Sequence, residues 1–110
     1  MPVGNIILQP IVWFGDSKEV VRSWSEKTRR RAGEELFRLQ IGSDPLHWRG
    51  MKSIGAGVRE IKISEGGEHR IVYLMSRSDR ILVLHAFQKK TRRTAKADME
   101  LSKQRLRAAK

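Results

Sequence analysis

Residues 81–94 read Ile-Leu-Val-Leu-His-Ala-Phe-Gln-Lys-Lys-Thr-Arg-Arg-Thr, an apolar run that passes directly into a basic one. The apolar part is rich in branched side chains and is typical of a buried strand. No Asp or Glu occurs between Arg80 and Asp98. A buried strand that ends in a cationic segment can hold phosphate groups on a rigid support, although a solvated basic loop has the same pattern.

Two further strand patterns precede this run, over residues 58–63 and 70–75. Short polar connections separate the three, which predicts consecutive antiparallel hairpins. A fourth extended segment is expected over residues 6–14, where Pro10 favours the edge of a sheet. Residues 46–57 contain several glycines and no periodicity, and we expect them to be irregular.

Helical patterns fill the remaining parts of the chain. One short helix is expected over residues 17–24, and a longer one extends from Ser25 to about Gly42. The buried stripe of the longer helix is predicted to hold Ala32, Leu36, Phe37 and Leu39. Thr94 can cap a last helix over residues 95–108, whose predicted apolar face holds Ala97, Leu101 and Ala108. Basic residues from Lys103 to Lys110 lie near the end of this helix.

These elements predict one small α+β domain over residues 1–110. We expect an N-terminal helical hairpin packed on a twisted, mainly antiparallel β-sheet, with a C-terminal helix. The chain has no cysteine, which excludes disulfides, thiolate catalysis and cysteine zinc sites. No apolar run is long enough to span a membrane and no signal peptide is recognisable, so a cytoplasmic protein with no membrane partner is expected.

The positive charge is concentrated in the second half of the chain. Residues 1–45 hold 7 Lys/Arg and 6 Asp/Glu, whereas residues 46–110 hold 16 and 6, which gives net charges of +1 and +10. A merely solubilising surface would not require this imbalance. Nucleic acid, the ribosome or an acidic protein are the partners that such a surface favours.

Several segments together resemble one known family. They are residues 11–16 (Ile-Val-Trp-Phe-Gly-Asp), 57–63 (Gly-Val-Arg-Glu-Ile-Lys-Ile), 69–73 (His-Arg-Ile-Val-Tyr) and 84–91 (Leu-His-Ala-Phe-Gln-Lys-Lys-Thr). As an ordered set they resemble the phage-derived Gp49-like branch of the RelE/HigB toxins, within the RelE/ParE superfamily. The resemblance covers most of residues 10–108.

The resemblance implies a compact toxin whose twisted sheet has a concave basic face. It also implies ribosome-dependent cleavage of messenger RNA in the ribosomal A site, without a cofactor, and neutralisation by a helix-turn-helix antitoxin. Cleavage of this kind proceeds by attack of the 2′-hydroxyl on the adjacent phosphate. It requires a proton acceptor, cations that stabilise the phosphorane, and a donor to the leaving oxygen, all of which Lys, Arg and His can supply.

Four cations are the catalytic candidates. Arg70 begins an apolar strand, and its planar fork matches two phosphate oxygens; RNA-cleaving members of the superfamily carry an arginine at the matching place. The alternative for Arg70 is an ion pair with Glu60 or Glu68. Lys89 and Lys90 follow the last strand, and a lysine among cations can act as a base. The Gln-Lys-Lys-Thr sequence departs from the tyrosine, histidine or acid of some toxins, so the identity of the base stays open.

Lys62 and Arg59 lie on opposite faces of an ideal strand, and we expect Lys62 to face the nucleic acid and Arg59 the core side. The RNA-binding candidates are Lys52, Arg59, Arg92, Arg93, Lys96 and, through stacking, Trp48. Tyr73 is a further stacking candidate.

The three histidines show no metal-ligand spacing, so no metal is expected. His85 is a candidate acid or base, or a hydrogen-bonded core residue; alternation groups it with Val83 and Phe87. His69 is either an exposed turn residue or a proton donor, and His47 is expected to be structural.

The leading hypothesis is therefore a toxin that acts as a messenger RNA endoribonuclease. Two alternatives stay open. One is a ParE-like toxin that inhibits DNA gyrase, which has the superfamily fold without nuclease activity. The other is a non-catalytic, phage-related RNA-binding protein.

Overall fold

The computed structural model describes residues 7–109. In chain order, the elements of this part are β1 (Ile11–Trp13), α1 (Ser17–Ser23), α2 (Glu26–Gln40), β2 (Trp48–Gly50), β3 (Arg59–Ile63), β4 (His69–Met75), β5 (Ile81–Gln88) and α3 (Lys96–Ala109). The fold is a small α+β domain. Ile6 in the expected N-terminal segment and Lys110 at the end of the last helix lie outside the described residues.

The strands form one mixed sheet in the order β1-β5-β4-β3-β2. The pairs β2–β3, β3–β4 and β4–β5 are antiparallel, which confirms the predicted hairpins, whereas β1 pairs in parallel with β5 at the other edge. The prediction that residues 46–57 are wholly irregular was wrong, because Trp48–Gly50 forms β2. A three-residue edge strand that ends in glycine is too short to show alternation.

Both faces of the sheet are covered, and the apolar residues divide accordingly. On one face α1 and α2 supply Val21, Trp24, Ala32, Leu36 and Leu39 to a core with Ile61, Ile63, Ile71, Tyr73, Ile81, Val83 and Ala86. On the other face α3 contributes Leu106 to a core with Met51, Ile54, Val58, Val72, Leu82, Leu84 and Phe87. We call these the α1–α2 face and the α3 face. Among the described residues, no helix has the length and apolar character needed to cross a bilayer.

The longer helix begins and packs largely as predicted. Ser25 caps α2, since its hydroxyl accepts a hydrogen bond from the backbone N–H of Thr28. Ala32, Leu36 and Leu39 are buried, but Phe37 is 49% exposed and does not belong to the stripe. Phe37 follows Leu36 directly, and a helix turns consecutive residues to different sides.

The predicted apolar face of the last helix was wrong. Ala97 and Ala108 are exposed in α3 and Leu101 is half-buried, whereas the buried residues are Ser102 and Leu106. Alanine side chains are too small to indicate which side of a helix is buried. Leu106 is larger and packs into the core of the α3 face. The helix begins at Lys96, so Thr94 lies before it, and the Thr94 hydroxyl instead donates to Glu60 at 3.3 Å.

A β-bulge changes the faces of β5. Val72 pairs with His85, but the next residue, Tyr73, pairs with Val83, which leaves Leu84 as the extra residue. Val83 therefore packs on the α1–α2 face and Leu84 on the α3 face. The predicted grouping of His85 with Val83 was wrong for this reason, because simple alternation does not foresee an inserted residue.

Candidate functional site

Alternation along β3 and β4 brings charged residues together on the α3 face. Glu60 and Lys62 share this face with Val58, and Lys62 lies directly opposite Arg70 in the β3–β4 ladder. Arg59 lies on the other face, as predicted from the odd spacing. The helix α3 packs over β5 on this face. The charged side chains therefore lie on the part of the α3 face that β2 and β3 form.

A fully buried carboxylate lies at the centre of this region. Glu60 has no exposed surface. Its Oε1 atom accepts a hydrogen bond from Nε of Arg49 at 2.9 Å and lies 3.6 Å from Nε of Arg70, and its Oε2 atom accepts from the Thr94 hydroxyl at 3.3 Å. A buried carboxylate needs such partners to offset its lost hydration. Glu60 thus fixes the Arg49 guanidinium and the end of the basic loop by hydrogen bonds, and it forms a longer ion pair with Arg70.

Arg70 is held more tightly than an ordinary surface arginine. Its Nη1 donates to the carbonyl of His69 at 2.9 Å, and its Nη2 donates to Glu68 Oε1 at 3.0 Å. Both ion-pair partners considered from the sequence, Glu60 and Glu68, are therefore present. Glu68 lies at the exposed rim and covers the outer edge of the guanidinium. Hydrogen bonds from Ser64 and Arg70 lower the pKa of Glu68, so this carboxylate is ionised at neutral pH.

Lys89 extends the same cationic group. Its backbone N–H donates to the carbonyl of Glu68 at 2.7 Å, which continues the β4–β5 ladder by one step beyond Gln88. Partial burial and then the charges of Arg70 and Arg49 lower the pKa of the Lys89 ammonium; Glu60 opposes this effect. Lys89, Arg70, Arg49 and Lys62 are called the cationic cluster below.

The basic loop after β5 lies beside this cluster. Arg92 and Arg93 line a groove of about 390 Å³ together with Arg49, Lys52 and Thr94, and Met51 and Met99 contribute apolar surface. Three of the predicted RNA-binding residues thus meet in one place. Lys90 is exposed and does not line this groove; it lines a smaller cavity of about 150 Å³ with Lys89 and Asp98. Lys96 is exposed at the first position of α3, outside both cavities.

Two other candidates lie away from the cluster. Arg59 donates to Asp44 Oδ1 at 3.0 Å, and its guanidinium lies 4.0 Å from the centre of the Trp48 ring. Trp48 pairs with Ile61 and so belongs to the α1–α2 face. The Tyr73 ring is fully buried, which excludes it from stacking on a base. Arg59 and Trp48 therefore do not join the cationic cluster.

His85 belongs to a buried network that attaches α3 to the sheet. Its Nε2 lies 2.7 Å from Asp98 Oδ1, and its Nδ1 lies 3.1 Å from Nη1 of Arg105. A guanidinium only donates, so Nδ1 accepts and the Nε2 hydrogen is donated to Asp98. Arg105 also donates to the carbonyl of Leu84 and to Asp16. Both ring nitrogens are occupied, which favours the hydrogen-bonded core role over an acid or base role.

His69 is buried on the α1–α2 face. Its ring packs against Trp24 with the ring centres 4.6 Å apart, and its Nδ1 lies 3.3 Å from the carbonyl of Gly67. Although it adjoins Arg70 in sequence, alternation directs the two side chains to opposite faces. The expectation of an exposed turn residue was wrong, because β4 begins at His69. His47 is exposed before β2, and its carbonyl accepts a hydrogen bond from the backbone of Lys62.

Sequence reasoning missed Arg49 and the organising roles of Glu60 and Thr94. Arg49 lies in the short strand that was expected to be irregular. Glu60 did carry a signal: it is an acid flanked by Arg59, Ile61 and Lys62 in a strand, at a position that alternation assigns to the cationic side. A lone acid there indicates a buried counterion for several cations.

The family described as "Phage derived protein Gp49-like (DUF891)" matches residues 19–107. The chain belongs to this family. No curated protein matches the chain. In this Gp49-like protein, the matched region includes the whole cationic cluster, the basic groove and the His85 network apart from Asp16.

Proposed function

We propose that this Gp49-like protein is the toxin of a toxin–antitoxin pair and cleaves messenger RNA on the ribosome. The proposal also assigns it the RelE/HigB arrangement, with α1 and α2 as the N-terminal hairpin of that fold. The observation that carries it is the cationic cluster: four cations around a buried carboxylate, mounted on paired strands. Membership of the Gp49-like family is compatible with a toxin role, and the proposed substrate class rests on the resemblance to RelE/HigB toxins.

The chemistry assigned to the cluster is metal-free transesterification. The 2′-oxygen of one nucleotide attacks the adjacent phosphorus, and the bond from phosphorus to the 5′-oxygen breaks, leaving a cyclic phosphate and a 5′-hydroxyl. Lys89 accepts the 2′-hydroxyl proton, since its lowered pKa increases the fraction of free amine. Lys62 and Arg70 stabilise the negative charge on the phosphorane, and Lys62, as an ammonium, donates to the leaving oxygen.

Arg70 contacts the phosphate in this mechanism only when Glu68 moves away. Glu68 holds Nη2 of Arg70 at 3.0 Å, but the Glu68 side chain is half-exposed and lies at the start of β4. A phosphate oxygen can replace its carboxylate on the same nitrogen, because both are anionic acceptors that suit the guanidinium fork. Glu68 therefore keeps the arginine oriented until RNA arrives.

Primer extension on a messenger RNA tests the proposal, with purified protein in the presence and absence of translating ribosomes. Cuts are expected only with ribosomes, and Lys89→Met should reduce them by at least about a hundredfold, the usual size of a general-base contribution. Lys89 is a better target than Arg70, because Arg70 is buried and its loss also removes a partner of Glu60. Lys18→Met, in α1, is the matched control and should cleave normally.

Two outcomes would contradict the proposal. Normal cleavage by Lys89→Met would remove Lys89 from the mechanism. The absence of cleavage by the wild-type protein under both conditions would exclude the nuclease, and a supercoiling assay with DNA gyrase would then separate a gyrase inhibitor from a non-catalytic RNA-binding protein.

The proposal also includes cleavage in the ribosomal A site and a cognate helix-turn-helix antitoxin. Co-purification with the product of a neighbouring reading frame tests the antitoxin.

A further inference from the structure

The groove beside the cationic cluster has a composition that points to a second binding site. Its charged lining residues are Arg49, Lys52, Arg92 and Arg93, and among residues 7–109 no carboxylate lines it. Met51 and Met99 are its apolar lining residues. Four cations beside two methionine side chains suit a nucleotide, because the cations can bind phosphate oxygens while the methionines contact a base.

Arg49 joins this groove to the cluster. Its Nε donates to Glu60 and its Nη2 donates to the Thr94 hydroxyl at 3.2 Å, and Thr94 in turn donates to Glu60. This closed set of hydrogen bonds fixes the guanidinium plane. Among residues 7–109 no hydrogen bond is made by Nη1 of Arg49, and 41% of the side chain is exposed. Arg49 is therefore oriented by buried partners while one edge is available to a ligand.

We propose that this groove is a subsite for single-stranded RNA next to the scissile phosphate, with Arg49 as the residue shared by the two. The inference rests on the proposed function, since the cluster defines which phosphate is cleaved. Arg92 and Arg93 hold backbone phosphates on one side and Lys52 on the other, while Arg49 holds the phosphate between groove and cluster. RNA is favoured over an acidic peptide because three guanidinium forks match phosphate oxygens and the groove continues into the cluster.

Fluorescence anisotropy with a labelled 2′-O-methyl RNA of about ten nucleotides tests the subsite, because this probe cannot be cleaved and is long enough for groove and cluster. Arg92→Ala combined with Arg93→Ala removes two exposed cations and leaves the cluster intact. Lys18→Ala combined with Arg22→Ala is the control, since it removes the same charge from α1. The groove variant is expected to bind at least about tenfold more weakly, with a salt slope lower by about 1.4, whereas the control should bind nearly as wild type.

A second variant tests Arg49 without changing the net charge. Arg49→Lys keeps a cation but cannot hold Glu60, Thr94 and a phosphate together, and weaker binding is expected. Thermal unfolding of each variant establishes that it is folded. Equal losses in the groove and control variants would overturn the subsite, as would wild-type binding by the groove variant. Equal affinity for polyglutamate of matched charge would overturn the assignment to RNA.

Failure of the subsite and failure of the proposed function give different results. If the groove variant binds the probe like wild type while the wild-type protein still cleaves messenger RNA, the subsite is wrong and the nuclease stands. If the wild-type protein binds the probe through the groove but never cleaves, the nuclease is wrong and the groove remains an RNA site.

Discussion

Lys89 is the residue at which charge and chemistry are most closely linked. Its pKa in the folded protein lies below the ordinary value of 10.5, because of partial burial and the neighbouring arginines. The unfolded chain therefore binds more protons between the folded pKa and 10.5, and stability rises with pH in that window. Lys89→Met removes this contribution. Urea unfolding at pH values from about 8 to 10.5 should show a smaller rise for the variant, and parallel curves would contradict the shift.

The ionisation of Lys89 also predicts how the rate of cleavage depends on pH. If Lys89 is the base, the rate rises with pH through its folded pKa, because only the free amine accepts a proton. Glu60 raises that pKa, so Glu60→Gln should move the alkaline inflection to lower pH. The rate of single-turnover cleavage on ribosomes measures it. An inflection that stays in place in Glu60→Gln would mean that another group controls the rate.

The position of Glu68 predicts that one substitution increases the affinity for RNA. Its carboxylate occupies the outer edge of Arg70, and an incoming phosphate must displace it. Glu68→Gln should therefore bind the uncleavable RNA probe more tightly, by about threefold to tenfold, since removal of a like charge near a phosphate is worth about 1 kcal/mol. Glu100→Gln, on α3, is the control for a change in net charge. Unchanged affinity in Glu68→Gln would indicate that phosphate does not reach Arg70.

Among the elements, α3 is attached to the sheet through Arg105, in addition to Leu106 and the His85–Asp98 contact. Arg105 donates to the Leu84 carbonyl, to His85 and to the exposed Asp16, and Met at this position leaves the Leu84 carbonyl and His85 Nδ1 without this donor. Arg105→Met should lower the free energy of unfolding by about 2–3 kcal/mol. Arg107→Met, exposed in the same helix, should change it by less than about 0.5 kcal/mol. Urea unfolding compares them, and similar losses in both would rule out the network as a source of stability.

Sequence patterns predicted some of these elements and not others. The hairpins of β3, β4 and β5 and the start of α2 could be predicted, because period-2 alternation and the Ser25 cap are local signals. The bulge at Leu84 could not, since its cause is the packing of two strands against each other. The same limit applies to the site. Alternation predicted the face of Lys62, and the family resemblance together with the start of a strand pointed to Arg70, but Arg49 required the pairing of β2 with β3. The bulge at Leu84 and the position of Arg49 are determined by tertiary contacts and not by the intrinsic strand propensity of the residues.

At the scale of the whole molecule, charge is divided between the two sides of the sheet. The cluster and the groove draw on residues 49–93 and lie on the α3 face, whereas the ion pairs of α2 balance much of the charge on the other side. Of the 23 basic residues, 16 belong to the second half of the chain, and this half supplies every cation of the cluster and groove. Affinity for an RNA surface should therefore depend on this side of the molecule and fall steeply with salt.

Binding to the ribosome and cleavage on it can accordingly be separated. Lys89→Met removes one cation among many on the α3 face, so it should sediment with ribosomes with an affinity within about threefold of wild type. It should also compete with the wild-type protein and reduce cleavage when present in excess, because the two occupy the same site. Arg92→Ala combined with Arg93→Ala should compete poorly. Co-sedimentation at several salt concentrations and a mixed cleavage assay measure both effects. A Lys89→Met protein that no longer binds ribosomes would mean that Lys89 acts in docking and not in chemistry.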